Sequence, residues 1–521
     1  MRSSRLPSDG SLFYARGAEQ PVDWWPFGEG AFARARELGR PLLVCLGTGT
    51  SHACHTLDVE SFDEPQVAAA LDARFVAVRV DADERPELDD RYQALAGNRF
   101  SAWPLVCVIA SDGSFVSARS HLSRGGLERL LADPFGPPPP VAPALVGAGL
   151  ATIRASFDAA FGGFGPPPKL PHAPVLDLLL SIDEPWALPI AVRTLDALAQ
   201  GGIHDQLAGG FHRYSTDDKW IVPHFEKRAA DQAALLSTFV RAYLRTGQPR
   251  YAAVARGVVD YALSRLADPR GGFACAEDCD LAPYDDGSHY TWSLDEATAI
   301  LDADELACAQ PRWDLYGRGE LHSDPTRNVL FLANSVDDIA YELRRAPADV
   351  EALLARAHKK LAAARALRPQ PPLDRGVRLG PSAHLARALI EADRALSLPA
   401  ARIHALLTLE RLSSEAPVHW LDDVAQLGLL QLAAAADTSN AAAERPAAAL
   451  LAAPFLDAGD GIYSILDGAC ASGAALGAEL LFAVGESDAA RALIVRHLPA
   501  ASAAGLRGAG LIRLAMTQSD K

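Results

Sequence analysis

The segment from residue 201 to residue 232, GGIHDQLAGGFHRYSTDDKWIVPHFEKRAADQ, combines residue types that soluble proteins usually keep apart. Histidines and carboxylates alternate there with apolar side chains such as Phe211, Trp220 and Phe225. A solvated loop would lack the aromatics, and a buried core would lack the ionisable groups. The mixture predicts a cavity wall from which a few acids and histidines point inward as proton donors and acceptors. A charged loop packed beneath a helix would have the same composition, and this alternative stays open.

The composition is that of a well-packed, acidic protein. Hydrophobic residues make up 49% and charged residues 22% of the 521 positions, and a chain of this length favours two or three domains. Lys and Arg number 49 against 65 Asp and Glu, which gives a formal charge of -16. Such acidity repels phosphate backbones and anionic lipids, so we expect neither nucleic acid nor a membrane as a partner.

Targeting and redox signals are weak. The first 20 residues carry basic side chains but no apolar segment, so they do not resemble a secretory signal, and no apolar run is long enough to span a membrane. The seven cysteines are scattered and odd in number, which argues against a disulfide framework. We therefore expect a cytoplasmic protein in a reducing compartment.

The first part of the chain, residues 1–133, is typical of a compact α/β domain. Apolar runs at 41–46, 75–80 and 104–109 predict buried strands, and the first two are far enough apart for a parallel pair. Asp112 and Gly113 predict a tight turn into an antiparallel strand at 115–116. Residues 134–143 are rich in proline and predict a stiff linker.

The remainder, residues 144–521, is typical of an all-α domain, and no segment there predicts a strand. Apolar residues recur at spacings of three and four, as in Leu236, Phe239, Val240 and Tyr243. Further helices are expected near 175–200, 347–366, 381–397, 400–413, 421–436, 471–484 and 487–498.

A recurring Gly-Gly-Phe tripeptide organises this second part. Copies begin at Gly162, Gly209 and Gly271, and Gly459–Tyr463 resembles a degenerate fourth copy. Paired glycines permit positive φ, and the aromatic residue anchors the turn. Equivalent turns between helical hairpins predict a ring of helices, with about six hairpins of roughly 60 residues in this length. A non-repeating helical domain with ordinary glycine turns remains the alternative.

Several motifs resemble the spermatogenesis-associated protein 20-like family. In the first domain they are PVDW at 21–24, ESF at 60–62, VD at 80–81, ERP at 84–86 and WPL at 103–105. In the second they are GFGPPPKLP at 163–171, the 201–232 segment, AEDCD at 276–280, YTW at 290–292 and DGACASG at 467–473. The resemblance implies a thioredoxin-like fold followed by an (α/α)6 toroid of the six-hairpin glycosidase or epimerase kind. It implies no established activity.

The sequence departs from the family pattern at positions that matter for chemistry. The family has two cysteines where this chain has Ser51-His-Ala-Cys54, so the attacking thiol of a dithiol oxidoreductase is missing. Cys54 remains as a redox candidate, either as a reactive monothiol or as a buried remnant. The toroid also differs. The family has polar residues at three positions where this chain has Gln232, Ser382 and Ala474. These changes weaken the expectation of full activity.

By analogy with such toroids, carbohydrate chemistry would require paired carboxylates or histidines at the rim of the central hollow. The candidate catalytic residues are His224, Glu226, Asp231, Asp278 and Asp280, and the candidate ligand-binding residues are Tyr214, Trp220, Glu277 and Trp292. Trp313 and Trp420 are further candidates for stacking on a sugar ring. The alternative for the acids is structural, as helix caps or in ion pairs with Arg213, Lys219 and Lys227.

The leading hypothesis is a two-domain protein whose toroid binds a small, carbohydrate-like ligand and isomerises or hydrolyses it without a cofactor or metal. A non-enzymatic binding or scaffold protein with a degenerate thioredoxin site is the main alternative, supported by Ser51. A monothiol redox module acting through Cys54 is the third.

Overall fold

The computed structural model describes residues 5–7, 11–49, 51–96, 103–120, 127, 131, 144–281, 285, 287–415, 421–436, 467, 471–484 and 487–517. These residues form two compact units. Unit 1 lies within 1–152, 419–425 and 449–521, and unit 2 lies within 153–418 and 426–448. The proline-rich linker predicted at 134–143, the fourth glycine turn at 459–463 and Trp420 lie outside the described residues.

The described helices and strands are named here in chain order. The strands are β1 Trp25–Pro26, β2 Leu42–Gly47, β3 Val76–Asp81, β4 Leu105–Ile109, β5 Phe115–Ser120, β6 Tyr214–Ser215, β7 Pro223–His224, β8 Lys227–Arg228, β9 Ala274–Glu277 and β10 Leu373–Val377. The helices are α1 Leu12–Glu19, α2 Glu29–Leu38, α3 His52–Leu57, α4 Pro65–Arg74, α5 Pro86–Leu95, α6 Ala144–Ala155, α7 Ala173–Ser181, α8 Ala187–Gln200, α9 Ala229–Thr246, α10 Pro249–Tyr261, α11 Leu294–Ile300, α12 Ala303–Trp313, α13 Val336–Leu343, α14 Pro347–Ala366, α15 Leu379–Leu396, α16 Pro399–Glu415, α17 Leu421–Ala435, α18 Gly473–Val484, α19 Ser487–Ala504 and α20 Ala509–Thr517.

A five-stranded mixed sheet forms the centre of unit 1. Its strand order is β1-β3-β2-β4-β5, with β3 parallel to β1 and β2. Strand β4 runs antiparallel to β2, and β5 pairs antiparallel with β4 through the turn at Gly113. The central strands read as continuous apolar runs because helices cover both faces of the sheet. The predicted strands, their parallel pair and the hairpin are confirmed.

A buried ion pair interrupts this apolar core. The Arg79 guanidinium donates to both carboxylate oxygens of Asp58, each at 2.8 Å, and lies 3.7 Å above the ring of Phe13. The Arg79 side chain is fully buried. Such a site requires this bidentate geometry, because an unpaired buried charge would be strongly destabilising.

The C-terminal helices also belong to unit 1. Helix α19 packs against α5, and the Ser502 hydroxyl donates to the Leu145 carbonyl at 2.5 Å. The Asp467 carboxylate joins the beginnings of α18 and α20, since it accepts from the amides of Ser472 and Gly510 at 2.8 and 2.7 Å. Helices from far along the chain therefore complete the compact unit that contains the sheet.

Unit 2 is built from helices that alternate between fully and partly buried positions. Helices α7, α9 and α15 are buried along most of their length, and each is followed by a less buried partner, α8, α10 and α16. Helix α9 packs against both α7 and α15. Paired inner and outer helices are the arrangement of (α/α)6 toroids. The predicted fold class, a thioredoxin-like α/β domain with an all-α domain, is confirmed.

The three Gly-Gly-Phe copies have the same backbone geometry. Both glycines of each copy have φ between 73° and 93°. An aspartate precedes each pair, and its amide donates to the second glycine's carbonyl at 2.9–3.0 Å. The first glycine of each copy lies directly against an outer helix, where an added Cβ would come within 2.2–3.0 Å of a backbone carbonyl oxygen. Glycine is therefore required by both conformation and space.

The expectation of no strands in the second part is wrong. Strands β6 and β7 form a small hairpin, and β8, β9 and β10 form a three-stranded antiparallel sheet beside the start of α9. These strands are only two to five residues long. Segments this short contain too few positions for an alternating pattern to be recognised.

Candidate functional site

Asp231 lies in the first turn of the buried helix α9. It is 8% exposed, and its Oδ2 atom has no hydrogen-bond partner among the described residues. Burial raises the pKa of Asp231 to about 7, the nearby Glu226 carboxylate adds to the rise, and Arg228 and Arg213 oppose it. A carboxyl group with this pKa can both donate and accept a proton at neutral pH.

Two further predicted residues, His224 and Glu226, shortly precede α9, and the Glu226 carboxylate is near enough to Asp231 to raise its pKa. The His224 ring stacks on Tyr214 with centroids 5.0 Å apart, and its Nε2 lies 3.7 Å from Glu226 Oε2. The side chains of His224 and Glu226 are 34% and 22% exposed, so solvent reaches them. Arg213 donates to Glu226 at 2.9 Å and fixes the carboxylate. We refer to His224, Glu226, Asp231 and Tyr214 as the acid–base cluster.

The predicted tryptophan platforms have no ring face available for a ligand. Trp220 is fully buried, and its indole nitrogen donates to the Gly162 carbonyl at 3.2 Å. Trp292 is 1% exposed, with the Arg368 guanidinium 3.9 Å from its ring centre, and Trp313 is 4% exposed. These residues pack the glycine turns and the neighbouring helical core, as large aromatics in helical proteins usually do.

The acidic segment after β9 does not act as one cluster. Glu277 is buried and accepts from the hydroxyls of Tyr261 and Tyr290 at 2.8 and 3.1 Å. Asp278, by contrast, is exposed and accepts from the amide of Cys279 at 2.7 Å and from that of Asp280 at 3.4 Å, which is a local turn. The Asp278 carboxylate therefore caps the local turn that contains Asp280, whereas the Glu277 carboxylate is buried against two tyrosines.

A buried ionic network lies on the other side of β8. The Lys227 ammonium donates to Asp205 at 2.6 Å, and Arg365 holds both oxygens of the same carboxylate at 2.8 and 3.0 Å. These two cations hold the pKa of Asp205 well below its usual range despite its burial. Burial lowers the pKa of Lys227 and of the neighbouring His212. Glu226 and Lys227 are adjacent in the chain and contact different clusters, as alternating side chains of an extended segment do.

The sequence did not identify this network. Asp205 and Arg365 are 160 residues apart, and neither has a local pattern that points to the other. Asp205 could have been singled out only as the aspartate that precedes a Gly-Gly-Phe turn.

The thioredoxin-like site has the expected position and an altered chemistry. Ser51 caps helix α3, and its hydroxyl accepts from the Cys54 amide at 3.3 Å. Cys54 is 1% exposed, and burial raises the pKa of its thiol. The peptide bond between Trp103 and Pro104 is cis. A buried thiol with a raised pKa is a poor nucleophile, because the thiolate is the reactive form.

Comparisons with known proteins agree with this architecture. Residues 3–130 match the family model described as Thioredox_DsbH, protein of unknown function, DUF255. Human spermatogenesis-associated protein 20 is 29% identical over 439 residues, and the mouse protein of the same name is 30% identical over 439 residues. Each alignment covers 71% of this chain and 56% of the relative, so the chain spans about half the length of these relatives.

Two solved structures align over much of the chain at low similarity. They are a GH76 alpha-mannanase from Bacteroides thetaiotaomicron (TM-score 0.30, 12% identity, 71% of this chain and 96% of that one) and a cellobiose 2-epimerase from Spirochaeta thermophila (TM-score 0.24, 16% identity, 53% and 87%). Within the described part of the chain, no helix combines the length and apolarity that crossing a bilayer requires. The resemblance noted from the motifs is confirmed: the chain is a homologue of proteins named spermatogenesis-associated protein 20, and its N-terminal region matches the Thioredox_DsbH model.

Proposed function

We propose that unit 2 binds a small, carbohydrate-like molecule and transforms it by proton transfer at the acid–base cluster. The observation that supports this most is Asp231, a buried carboxyl group with an unpaired oxygen and a pKa of about 7. Native proteins satisfy nearly all buried polar atoms, and an exception of this kind is expected where a substrate supplies the missing partner.

The neighbouring side chains suit the two halves of such a reaction. Asp231 would take a proton from a substrate O–H or C–H bond, leaving the electron pair on the substrate. His224, which is solvent-accessible and 3.7 Å from Glu226, would return a proton at the opposite side of the reacting group. Arg213 positions Glu226 through their 2.9 Å hydrogen bond. Isomerisation and glycoside hydrolysis both need one acid and one base in this relation.

The test is a search for turnover that depends on Asp231. The whole protein is incubated in D2O with a panel of aldoses, ketoses and disaccharides, and NMR follows deuterium uptake next to the carbonyl and the release of reducing ends. Asp231→Asn should reduce the rate by at least about 100-fold, the lower range for loss of a general acid or base. Asp337→Asn, an exposed aspartate in the first turn of α13, is the matched control and should have no effect.

Two results would contradict the proposal. Unchanged turnover in the Asp231 variant would remove this residue from the mechanism. The absence of turnover with every sugar of the panel would favour the alternative, a binding or scaffold protein.

A separate inference concerns the thioredoxin-like domain. We infer that it takes part in binding or assembly without exchanging disulfides. Ser51 replaces the attacking thiol, and Cys54 is buried at the first turn of α3.

A further inference from the structure

We propose that unit 2 contains a second ligand site that takes a small hydroxycarboxylate. The site is a cavity of about 190 Å³, which we name the Arg365 cavity. Its interior is lined by Asp205, Lys227, Glu277, His289, Tyr290 and Arg365. Pockets for drug-sized ligands measure roughly 300–1,000 Å³, so this cavity suits a ligand of only a few heavy atoms. The inference is independent of the acid–base cluster.

The charges around the cavity favour an anion. Three cationic side chains line it, Lys227, Arg265 and Arg365, against the two carboxylates Asp205 and Glu277. One positive charge is therefore in excess, in a protein whose formal charge is -16. A monoanion such as a carboxylate balances this excess, whereas a doubly charged phosphate would leave a negative charge uncompensated at a site of low dielectric.

The Arg365 guanidinium retains hydrogen-bonding capacity. It donates once from each terminal nitrogen to Asp205. A guanidinium has five N–H donors, so three of those on Arg365 have no partner in the part of the chain that the structure describes. An incoming carboxylate can accept from them in the planar geometry that guanidinium groups favour.

His289 supplies an acceptor at the same cavity. Its Nδ1 lies 2.9 Å from the Pro369 carbonyl, and because a carbonyl can only accept, Nδ1 carries the hydrogen. Burial lowers the pKa of His289 to about 4, so the ring is neutral at pH 7 and its Nε2 has a free lone pair. This nitrogen suits a hydroxyl donor next to the carboxylate.

The mouth of the cavity is formed by small or polar exposed residues. Ala208, Ser264, Ala366 and Gln370 line the opening, and all four are exposed. The mouth can therefore be blocked without disturbing the ionic network below it. Ala366 is the last residue of α14, and Ala363 in the same helix is exposed and does not line the cavity.

The experiment measures binding of D-glycerate to the whole protein by calorimetry, with glycerol and inorganic phosphate as comparison ligands. D-glycerate should bind at least tenfold more tightly than glycerol, which lacks only the carboxylate, and more tightly than phosphate. Ala366→Phe should weaken binding at least tenfold, and Ala363→Phe should leave it unchanged. If Ala366→Phe fails to fold, Ser264→Phe takes its place. Ser264 lies in the π-helical turn at 262–266, on another side of the mouth, and phenylalanine there should block the same opening.

Three outcomes would overturn the proposal. They are no binding of D-glycerate to the wild-type protein, equal binding to the wild-type and blocked proteins, and tighter binding of phosphate. The Asp231→Asn variant should bind D-glycerate as tightly as the wild-type protein does. Loss of sugar turnover in that variant would therefore leave the binding result at the Arg365 cavity unaffected. Equally, a failure to bind D-glycerate would not contradict the proposed catalytic function.

Discussion

At the scale of single residues, the protein keeps one carboxyl group in an unfavourable state. Asp231 is buried without a partner for Oδ2, and its pKa of about 7 measures how strongly the folded protein favours the protonated form. A buried group of this kind lowers stability, and it persists in binding sites because the ligand uses it. The same residue therefore permits a stability test of the proposed site.

Asp231→Asn should stabilise the protein at pH 8. The pKa of an unfolded aspartate is about 3.9, so a folded value of about 7 corresponds to a penalty of up to about 4 kcal/mol when the group is ionised. The penalty is complete above pH 7, shrinks as pH falls through 7, and vanishes below pH 4, where both states are protonated. Urea denaturation at pH 8 and at pH 4 measures it. Equal stability of variant and wild type at pH 8 would show that Asp231 ionises freely.

The altered thioredoxin-like site predicts that Cys54 reacts slowly. Its thiol is 1% exposed, and burial raises its pKa. Alkylation of Cys54 by iodoacetamide at pH 7.5 should be at least 100-fold slower in the folded protein than after denaturation, as peptide mass spectrometry can measure. Fast labelling would restore the monothiol redox hypothesis.

Introducing a second cysteine is another test of the thioredoxin-like site. Ser51→Cys places a thiol at the N-cap of α3, three residues before Cys54. Mild oxidation should then remove two mass units from the peptide that contains both positions. The double variant that also carries Cys54→Ala should show no such loss. No disulfide in the single variant would mean that the fold itself, and not only the missing sulfur, has lost the redox geometry.

The sequence singled out His224, Glu226 and Asp231 as candidates but did not indicate which residues surround them. The spacing of His224, Glu226 and Asp231 within one segment was visible, and the structure places them around the start of α9. The partners of Lys227 were not visible, because Asp205 and Arg365 meet it only through the tertiary fold. Trp220 was interpreted as a ligand platform since the sequence alone cannot distinguish a buried aromatic from an exposed one.

At the scale of elements, the Gly-Gly-Phe turns carry the repeat of unit 2. Each aspartate before a turn accepts from one or two backbone amides within it, and its second oxygen contacts a cation, Lys169 for Asp158 and Arg411 for Asp268. Each turn thus joins an outer helix to the segment that leads to the next inner one. The repetition indicates that the turns share one structural role.

Gly209→Ala should destabilise the protein by at least about 2 kcal/mol more than Gly247→Ala. Both glycines have positive φ, 73° and 68°, so both variants incur the cost of about 1 kcal/mol for alanine in this region. Only at Gly209 would the new Cβ meet a backbone oxygen, that of Gly257, at 2.2 Å, whereas Gly247 has open space. Chemical denaturation of the two variants provides the comparison. Equal losses would mean that α10 can move away without cost.

The long strands were predictable and the short ones were not. Runs such as Leu42–Gly47 and Leu105–Ile109 are buried throughout, and five consecutive apolar positions give a clear signal. Strand β1 and the strands β8, β9 and β10 depend on partners that lie far away in the sequence, and the local hairpin strands β6 and β7 have only two residues each. Helix α8 begins after a break at 182–186, which the apolar periodicity of 175–200 did not reveal.

At the scale of the whole molecule, segments from distant parts of the sequence belong to one compact unit. Helix α19 covers part of α5, and its Leu493 and Ala501 are fully buried. Residues more than 350 positions apart thus stabilise one another, as the 2.5 Å contact between Ser502 and Leu145 illustrates. The thioredoxin-like region therefore packs against helices that lie several hundred residues further along the chain.

Deleting residues 487–521 should expose α5 and weaken unit 1. Because buried apolar surface of α5 would face water, limited trypsin digestion should cut near Arg91 much faster in the truncated protein than in the whole chain. Arg507→Ala is the control, since it removes a partly exposed ion pair with Asp90 at 3.9 Å and a long 3.4 Å hydrogen bond to the Asp467 carbonyl, and it should change little. Equal cleavage of the truncated and complete proteins would show that the sheet domain is self-sufficient.

The extended segment at 226–228 has a consequence for how this protein can change over evolution. Glu226 contacts Arg213 on one side and Lys227 contacts Asp205 on the other, so the parity of the numbering decides which side chain joins the acid–base cluster and which joins the buried ionic network. Point substitutions can retune either group of residues separately. Insertion or deletion of a single codon here would exchange the two sets of side chains and ruin both at once. The length of this segment is therefore more strictly constrained than the identity of its residues.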